Sequence, residues 1–226
     1  AYSRYMLASG GTLIFSVIAV ALYTRLNQFS VSYFLGVKEA GVFSVALTLS
    51  GAWVFLPNAL LASFYPAFFS ERDPKRAIVK IQQLHLLVVG VSALVIAAVA
   101  LLAPPFIHYF YGPAYQDAVA PTVWLCLGAM FGLLSSVMDR FIIKYNGYAY
   151  LVKKTFFVLL ICLVSSVVLV PLYGLTGAAF SVILTELLSF TLLNYFFAAQ
   201  PMFTIHRSFF SPKKIWFLLN DAKTLR

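Results

Sequence analysis

Six long apolar segments constrain this chain more than any other feature of its sequence. Each is close to the roughly 20 residues that a helix needs to cross the hydrocarbon core of a bilayer, or longer. They lie at 5–35, 41–69, 84–102, 119–138, 156–173 and 175–198. None alternates apolar and polar residues as the strands of a membrane barrel do, and helices are the other way to satisfy backbone groups in lipid. The sequence therefore predicts an all-α integral membrane protein.

Composition excludes an ordinary soluble domain. Of the 226 residues, 62% are hydrophobic and only 10% are charged, whereas soluble domains carry about 25% charged residues. A chain of this size still exposes much of its surface after folding. Too few polar residues are present to cover that surface, so most of it must face lipid.

The distribution of basic residues predicts the topology. All but Arg25 and Lys38 of the 16 Lys and Arg residues fall before the first segment, in or beside alternate loops, or in the tail. Cytoplasmic loops carry such an excess, so we predict a multi-pass protein of the cytoplasmic (inner) membrane with both termini in the cytoplasm. The net charge of +9 then reflects topology and not a nucleic-acid partner. On this interpretation Asp139, Arg140 and Lys154 are charges at the cytoplasmic ends of helices.

The chain divides into two predicted regions. Residues 1–200 form a six-helix transmembrane lobe, and 201–226 form a cytoplasmic amphipathic tail, in which Ser211 and Pro212 resemble the start of a helix. Residues 70–85 predict a short cytoplasmic helix before the third span. Residues 103–118, rich in aromatic residues and proline, predict an interfacial turn followed by a short surface helix.

Two features predict how the helices are shaped and packed. Gly177, Ser181 and Thr185 recur every four residues, which allows a neighbouring backbone to approach closely and predicts a helix–helix seam. Pro57 lies inside the second segment, where a proline removes a hydrogen bond and bends a helix. The bend is either a static kink or the hinge of a moving helix.

Two ionisable residues stand out because charge inside a membrane is costly and defaults to a functional hypothesis. Glu186 lies near the middle of the sixth segment and either is protonated, pairs with a cation, lines a wet cavity, or is hydrogen-bonded for packing. Arg25 shares one helix face with Gln28, while Asn27 points to another face. Arg25 either reaches the outer interface or faces a cavity suited to an anionic headgroup.

No motif of a soluble enzyme is present, and the inventory of polar residues is thin for a membrane enzyme. The seven acidic residues and three histidines are scattered, so they predict no metal site and no cofactor. Cys126 and Cys162 have no metal or redox spacing and are interpreted as packing residues.

Several motifs together resemble the second half of polysaccharide flippases, which translocate lipid-linked oligosaccharide such as O-antigen units for lipopolysaccharide and belong to the MOP superfamily with the MATE exporters. The matching elements occur in the expected order along most of the chain: "GVKEAGVFSVA" (36–46), "LPNAL" (56–60), "YPAF" (65–68), "FYGPAYQDA" (110–118) and "PLYGLTGAAFSVILTE" (171–186). Asn27 departs from the pattern, since the family has an aspartate there, which puts a coupling role for that position in doubt.

This resemblance implies a fold and a function. The fold is one six-helix lobe of a twelve-helix transporter, so the chain, which lacks an initiator Met, is expected to be a C-terminal half that needs the N-terminal half or a second copy. The implied activity moves a polyprenyl-diphosphate-linked oligosaccharide between leaflets. Arg25, Gln28 and Asn58 would contact the substrate, Glu186 and Asn27 would serve coupling within the membrane, and Pro57 would be the hinge.

Two other interpretations are open. A MATE-like exporter of small cations is one, although an arginine in the cavity would repel cations. A membrane scaffold without transport of its own is the other, in which Arg25 and Glu186 only hold helices together.

Overall fold

In the computed structural model, which describes residues 22–23, 25–197 and 202–206, all regular structure is helical. The elements are α1 (25–35), α2 (Val37–Ala52), α3 (Phe55–Ser70), α4 (Pro74–Phe110), a 3₁₀ helix (Pro113–Ala118), α5 (Val119–Lys144), α6 (Tyr148–Phe190) and α7 (Leu192–Tyr195). Residues 202–206 are also helical. Most of the first predicted span and nearly all of the predicted tail lie outside the described residues.

Four of the described helical stretches are long and apolar enough to cross a membrane. They are Val37–Ser70, Pro74–Phe110, Pro113–Lys144 and Tyr148–Tyr195, with 34, 37, 32 and 48 residues. A span needs roughly 20 residues, so the predicted class of a helical membrane protein is confirmed. Six spans and a lobe of a twelve-helix transporter stay predictions.

The longest stretch folds back on itself at Gly174. Gly174 has φ 61° and ψ −138°, a backbone conformation that glycine adopts without steric cost. Residues on either side of it meet in pairs: the hydroxyls of Ser165 and Ser181 lie 2.7 Å apart, and Lys154 Nζ lies 3.0 Å from Asn194 Oδ1. Helix α6 is therefore an antiparallel hairpin, with a first limb at 148–173 and a second limb at 175–190. The reversal falls between the predicted segments 156–173 and 175–198.

Small residues hold the second limb against its neighbours. A Cβ on Gly177 would lie 2.7 Å from the Leu169 carbonyl carbon of the first limb, and Gly177, Ser181 and Thr185 are all buried. The predicted seam is thus confirmed. A second close approach involves Gly128 of α5, where a Cβ would lie 2.9 Å from Val182 Cγ1. The second limb is consequently clamped between the first limb and α5.

The regular helix of the span formed by α2 and α3 is interrupted one turn before Pro57. Proline has no N–H to offer the carbonyl four residues earlier, which belongs to Trp53. That carbonyl accepts instead from the backbone N–H of Leu56 at 3.1 Å, and the regular helix is interrupted at Trp53 and Val54. The kink follows from the sequence, whereas its use as a hinge stays a prediction.

The length of α4 contradicts the predicted boundaries of the helices between residues 70 and 118. Residues 70–85 do not form a separate short helix, because one helix of 37 residues runs from Pro74 to Phe110. Asp73 starts it by accepting from the backbone N–H of Lys75 at 2.9 Å, with Pro74 in the first turn where it is tolerated. The helix also continues past the predicted end of the span at 102, through Pro104 and Pro105 to Phe110, since an apolar environment favours backbone groups that are bonded internally. The turn expected within 103–118 lies at 111–112, and the short helix expected after it is the 3₁₀ helix Pro113–Ala118.

Two lysines stabilise the end of α3, where the chain turns into α4. Lys144 Nζ donates to the carbonyls of Phe68 and Glu71, both at 2.6 Å, and Lys80 Nζ donates to that of Ala67 at 2.9 Å. The last carbonyls of a helix carry partial negative charge and have no partner within the helix. These contacts therefore fix the end of α3 against α4 and α5, which positions one wall of the cavity described next.

Candidate functional site

A cavity of about 800 Å³ opens among α3, α5 and both limbs of the α6 hairpin. Its size lies within the range of roughly 300–1,000 Å³ that is typical of ligand sites. The bundle is otherwise apolar, but two acidic and two basic side chains are among the polar residues on the cavity wall. These polar residues are Tyr23, Asn58, Ser135, Ser136, Asp139, Arg140, Lys154, Thr155, Glu186 and Ser189.

Lys154 is the centre of a polar network on this wall. Only 4% of its side chain is exposed, and Nζ lies 2.6 Å from Asp139 Oδ1. The same ammonium donates to Ser135 Oγ and Asn194 Oδ1, both at 3.0 Å. Ser135 in turn bonds Ser189 across the bundle at 2.8 Å. Three donors of one lysine thus tie the first limb of the hairpin to α5 and to α7, and the charge of Asp139 is neutralised.

Glu186 occupies a different part of the cavity wall. It accepts a hydrogen bond from the Tyr23 hydroxyl and lies against Gly132 of α5, where an added Cβ would be 3.3 Å from the carboxyl carbon. No cation lies within ion-pair distance of Glu186 among the described residues. Glycine at 132 therefore leaves the room that this carboxyl group occupies between α5 and the second limb.

Arg140 is a cation on the wall that has no ion-pair partner within the described part of the chain. Its guanidinium carbon lies 5.2 Å from the ring centroid of Tyr65 on α3, within the range of a cation–π contact. The neighbouring carboxylate, Asp139, is engaged by Lys154. Arg140 is an exposed residue, and its guanidinium interacts with Tyr65 and lies near enough to Asp139 to act on that carboxylate.

The predicted site residues separate into three places. Asn58 and Glu186 line the cavity. Arg25 and Gln28 do not line it: Arg25 is exposed and bonds Gln28 at 3.2 Å, while Gln28 Nε2 donates to Ser44 of α2 at 2.7 Å. Substrate contact by Arg25 and Gln28 stays a prediction.

Asn27 belongs to a buried cluster between α1 and the hairpin. Its side chain accepts from Ser166 Oγ at 2.7 Å and lies 3.3 Å from Cys162 Sγ. Ser166 and Ser165 both contact the hydroxyl of Ser181, at 3.0 and 2.7 Å. Cys162 thus contributes to a polar contact between helices as well as to packing, and this cluster holds α1 against the hairpin beside Tyr23 and Glu186.

Sequence reasoning missed the contribution of Lys154 and Asp139, which were interpreted as charges at helix ends. That interpretation is incomplete, because the two residues form an ion pair on the wall of the cavity, in which Lys154 is buried. A signal was present in the spacing of Ser135 and Asp139, four residues apart on one face of α5. The partner on the hairpin could not be found from spacing, because it depends on how α5 packs on α6.

The site has the chemistry of a polar binding cavity. In the part of the chain that the structure describes, no group of three or more His, Cys, Asp or Glu is placed to hold a metal ion. The wall offers a guanidinium at Arg140, an amide at Asn58 and a carboxyl at Glu186. Such a set binds and orients a charged polar group by hydrogen bonds and charge.

Comparison with known proteins gives one distant similarity. The chain is 25% identical over 170 residues to the "Probable flippase AglR" of Haloferax volcanii, a match that covers 72% of this chain and 35% of that protein. No protein-family model matches the chain, and no solved structure does. This chain is a helical membrane protein with a weak homologue named as a probable flippase, and it matches about a third of that homologue's length.

Proposed function

We propose that this chain is the C-terminal half of a flippase that moves polyprenyl-diphosphate-linked oligosaccharide across the cytoplasmic membrane, with both termini in the cytoplasm. One observation carries the proposal: a cavity of about 800 Å³ with ionisable residues on its wall lies inside a bundle of apolar helices. The similarity to a probable flippase supports the same class of function.

The physical requirement of such a transporter explains why this cavity matters. A charged headgroup meets a large barrier in the hydrocarbon core, because charge is costly there. A cavity that supplies hydrogen bonds and opposite charge lowers that barrier while the lipid tail stays in the bilayer. A second six-helix half would provide the facing wall, and rocking of the two halves would expose the cavity to each side in turn.

In this proposal Arg25, Gln28 and Asn58 bind the substrate. Asn58 follows Pro57 directly, so hinge motion at Pro57 would move an amide of the cavity wall. Glu186 and Asn27 couple transport to an ion. The carboxyl of Glu186 lies beside Gly132 and Tyr23, where α5, the hairpin and the N-terminal part of the described chain meet.

The proposal is tested by flipping in proteoliposomes that contain the full-length protein and a lipid-linked oligosaccharide whose headgroup is accessible to an added enzyme only after translocation. The wild type should flip, and Asn58→Ala, which removes an amide from the cavity wall, should lower the rate about tenfold. Arg25→Ala tests the predicted substrate contact outside the cavity in the same assay. Arg72→Ala, at an exposed position outside the cavity, is the matched control. Absence of flipping by the wild type contradicts the function, and a wild-type rate for Arg25→Ala removes the role of that residue.

A MATE-like exporter of small cations is a second candidate, because Glu186 has no cationic partner among the described residues. Uptake of a fluorescent organic cation into the same proteoliposomes distinguishes the two. Transport that Glu186→Gln abolishes, without any flipping of the lipid, would favour the exporter.

A further inference from the structure

The helical segment 202–206 packs into the core of the bundle. Its apolar side chains Met202 and Ile205 are fully buried there, in the same cluster as residues of α4, α5 and the hairpin. We propose that this segment is a pH-sensitive latch, which stays docked while His206 is neutral and is released when His206 is protonated. The proposal is independent of the proposed function.

Polar and ring contacts attach the segment to two different parts of the bundle. Gln82 of α4 donates to the backbone carbonyl of Thr204 at 3.1 Å. His206 Nδ1 lies 2.8 Å from the hydroxyl of Tyr195 on α7. The imidazole ring also packs against Phe190 at the end of the hairpin, with the two ring centroids 4.7 Å apart. The segment thus joins α4 to the end of the hairpin and to α7.

The surroundings of His206 suit a neutral imidazole and disfavour a charged one. His206 is buried, and its Nε2 has no hydrogen-bond partner among the described residues. The titratable side chains that face it are Tyr195 of α7 and, across the ring of Phe190, His85 of α4. No carboxylate lies within ion-pair distance of His206 in the described part of the chain. A protonated ring would therefore be a buried charge with an unpaired donor and no counter-charge.

The direction of the pH response follows from the difference between the docked and the released states. Burial lowers the pKa of His206 below its ordinary value of 6.5, and the released segment regains that ordinary value. Docking is therefore at full strength above pH 6.5 and weakens as the pH falls from 6.5 through the docked pKa. Since docking releases one proton in that range, the docking equilibrium constant should fall by up to about tenfold per pH unit.

Hydrogen exchange of the backbone amides of residues 202–206 tests the latch, in the purified full-length protein in nanodiscs, between about pH 7.5 and about pH 5.5. The readout is the protection factor, in which division by the intrinsic exchange rate removes the pH dependence of the exchange chemistry. Wild-type protection should fall several-fold below pH 6.5, whereas His206→Gln, which cannot titrate, should change by less than about twofold. His108→Gln, at an exposed position near the end of α4, is the matched control and should keep the wild-type response.

Three results would overturn the proposal. They are wild-type protection that does not change with pH, an equal fall in the wild type and in His206→Gln, and a response that disappears in His108→Gln. If His206→Gln already loses protection at about pH 7.5, His206→Phe replaces it, because phenylalanine keeps a ring against Phe190 and does not titrate. Protection in that variant should be independent of pH, and a fall that persists there counts against His206 as the titrating group.

Discussion

Replacing Lys154 by Met should destabilise the protein by about 2–4 kcal/mol. Methionine keeps most of the volume of the side chain and removes the ammonium, which contacts Asp139 at 2.6 Å and Ser135 and Asn194 at 3.0 Å. Removing one partner of a buried ion pair typically costs about 3–5 kcal/mol, because the other charge is left uncompensated. The value expected here is lower, since 36% of the Asp139 side chain is exposed and water can hydrate its carboxylate.

The measurement is the free energy of unfolding of the full-length protein in mixed detergent micelles, followed by circular dichroism as the denaturing detergent increases. Lys153→Met is the matched control, because Lys153 is adjacent in sequence but exposed, and surface substitutions usually change stability by less than about 0.5 kcal/mol.

A double-mutant cycle isolates the pair itself. Asp139→Asn together with Lys154→Met should cost less than the sum of the two single changes, with a coupling energy of about 1–3 kcal/mol. Equal losses in Lys154→Met and Lys153→Met, or a coupling energy near zero, would refute the argument that this ion pair ties α5 to the hairpin.

Two further predictions concern packing and pH. Gly177→Ala should lower the free energy of unfolding by about 1–3 kcal/mol, because its Cβ would meet the backbone of Leu169. Gly90→Ala, in the open middle of α4, should be neutral or stabilising by up to about 1 kcal/mol. The same unfolding assay compares the two variants, and equal effects would contradict the seam. Burial lowers the pKa of His206, so the folded state favours the neutral imidazole ring. The contribution of His206 to the free energy of unfolding should therefore be complete above its unfolded pKa of about 6.5. That contribution should fall as the pH drops below this value. His206→Gln should remove part of the decline measured between pH 7 and pH 5, and an identical decline in both proteins would contradict this prediction.

Local physics explains which parts of the fold could be predicted. Apolar length predicts helices in lipid because no other arrangement of an isolated segment satisfies its backbone groups. The spacing of Gly177, Ser181 and Thr185 predicts a seam, since residues four apart share a helix face. Pro57 predicts a kink because the missing N–H is a property of that residue alone.

The boundaries of α4 could not be predicted in the same way. Pro104 and Pro105 are breakers by local preference, yet the helix continues through them to Phe110. Internal backbone bonding in apolar surroundings outweighs that preference, and its weight depends on what surrounds the helix.

The sequence by itself determined that this protein is a bundle of membrane-length helices, that one of them bends at Pro57, and that Glu186 lies deep in a span. Tertiary structure decided which charges meet: it placed Lys154 beside Asp139 across α5 and the hairpin, left Arg140 without an ion pair among the described residues, and put Arg25 outside the cavity. The reason is that helix formation depends on interactions within a few residues, whereas ion pairing between helices depends on the rotation and depth of each helix. Rotation and depth are fixed only when Gly128, Gly132 and Gly177 pack against their neighbours.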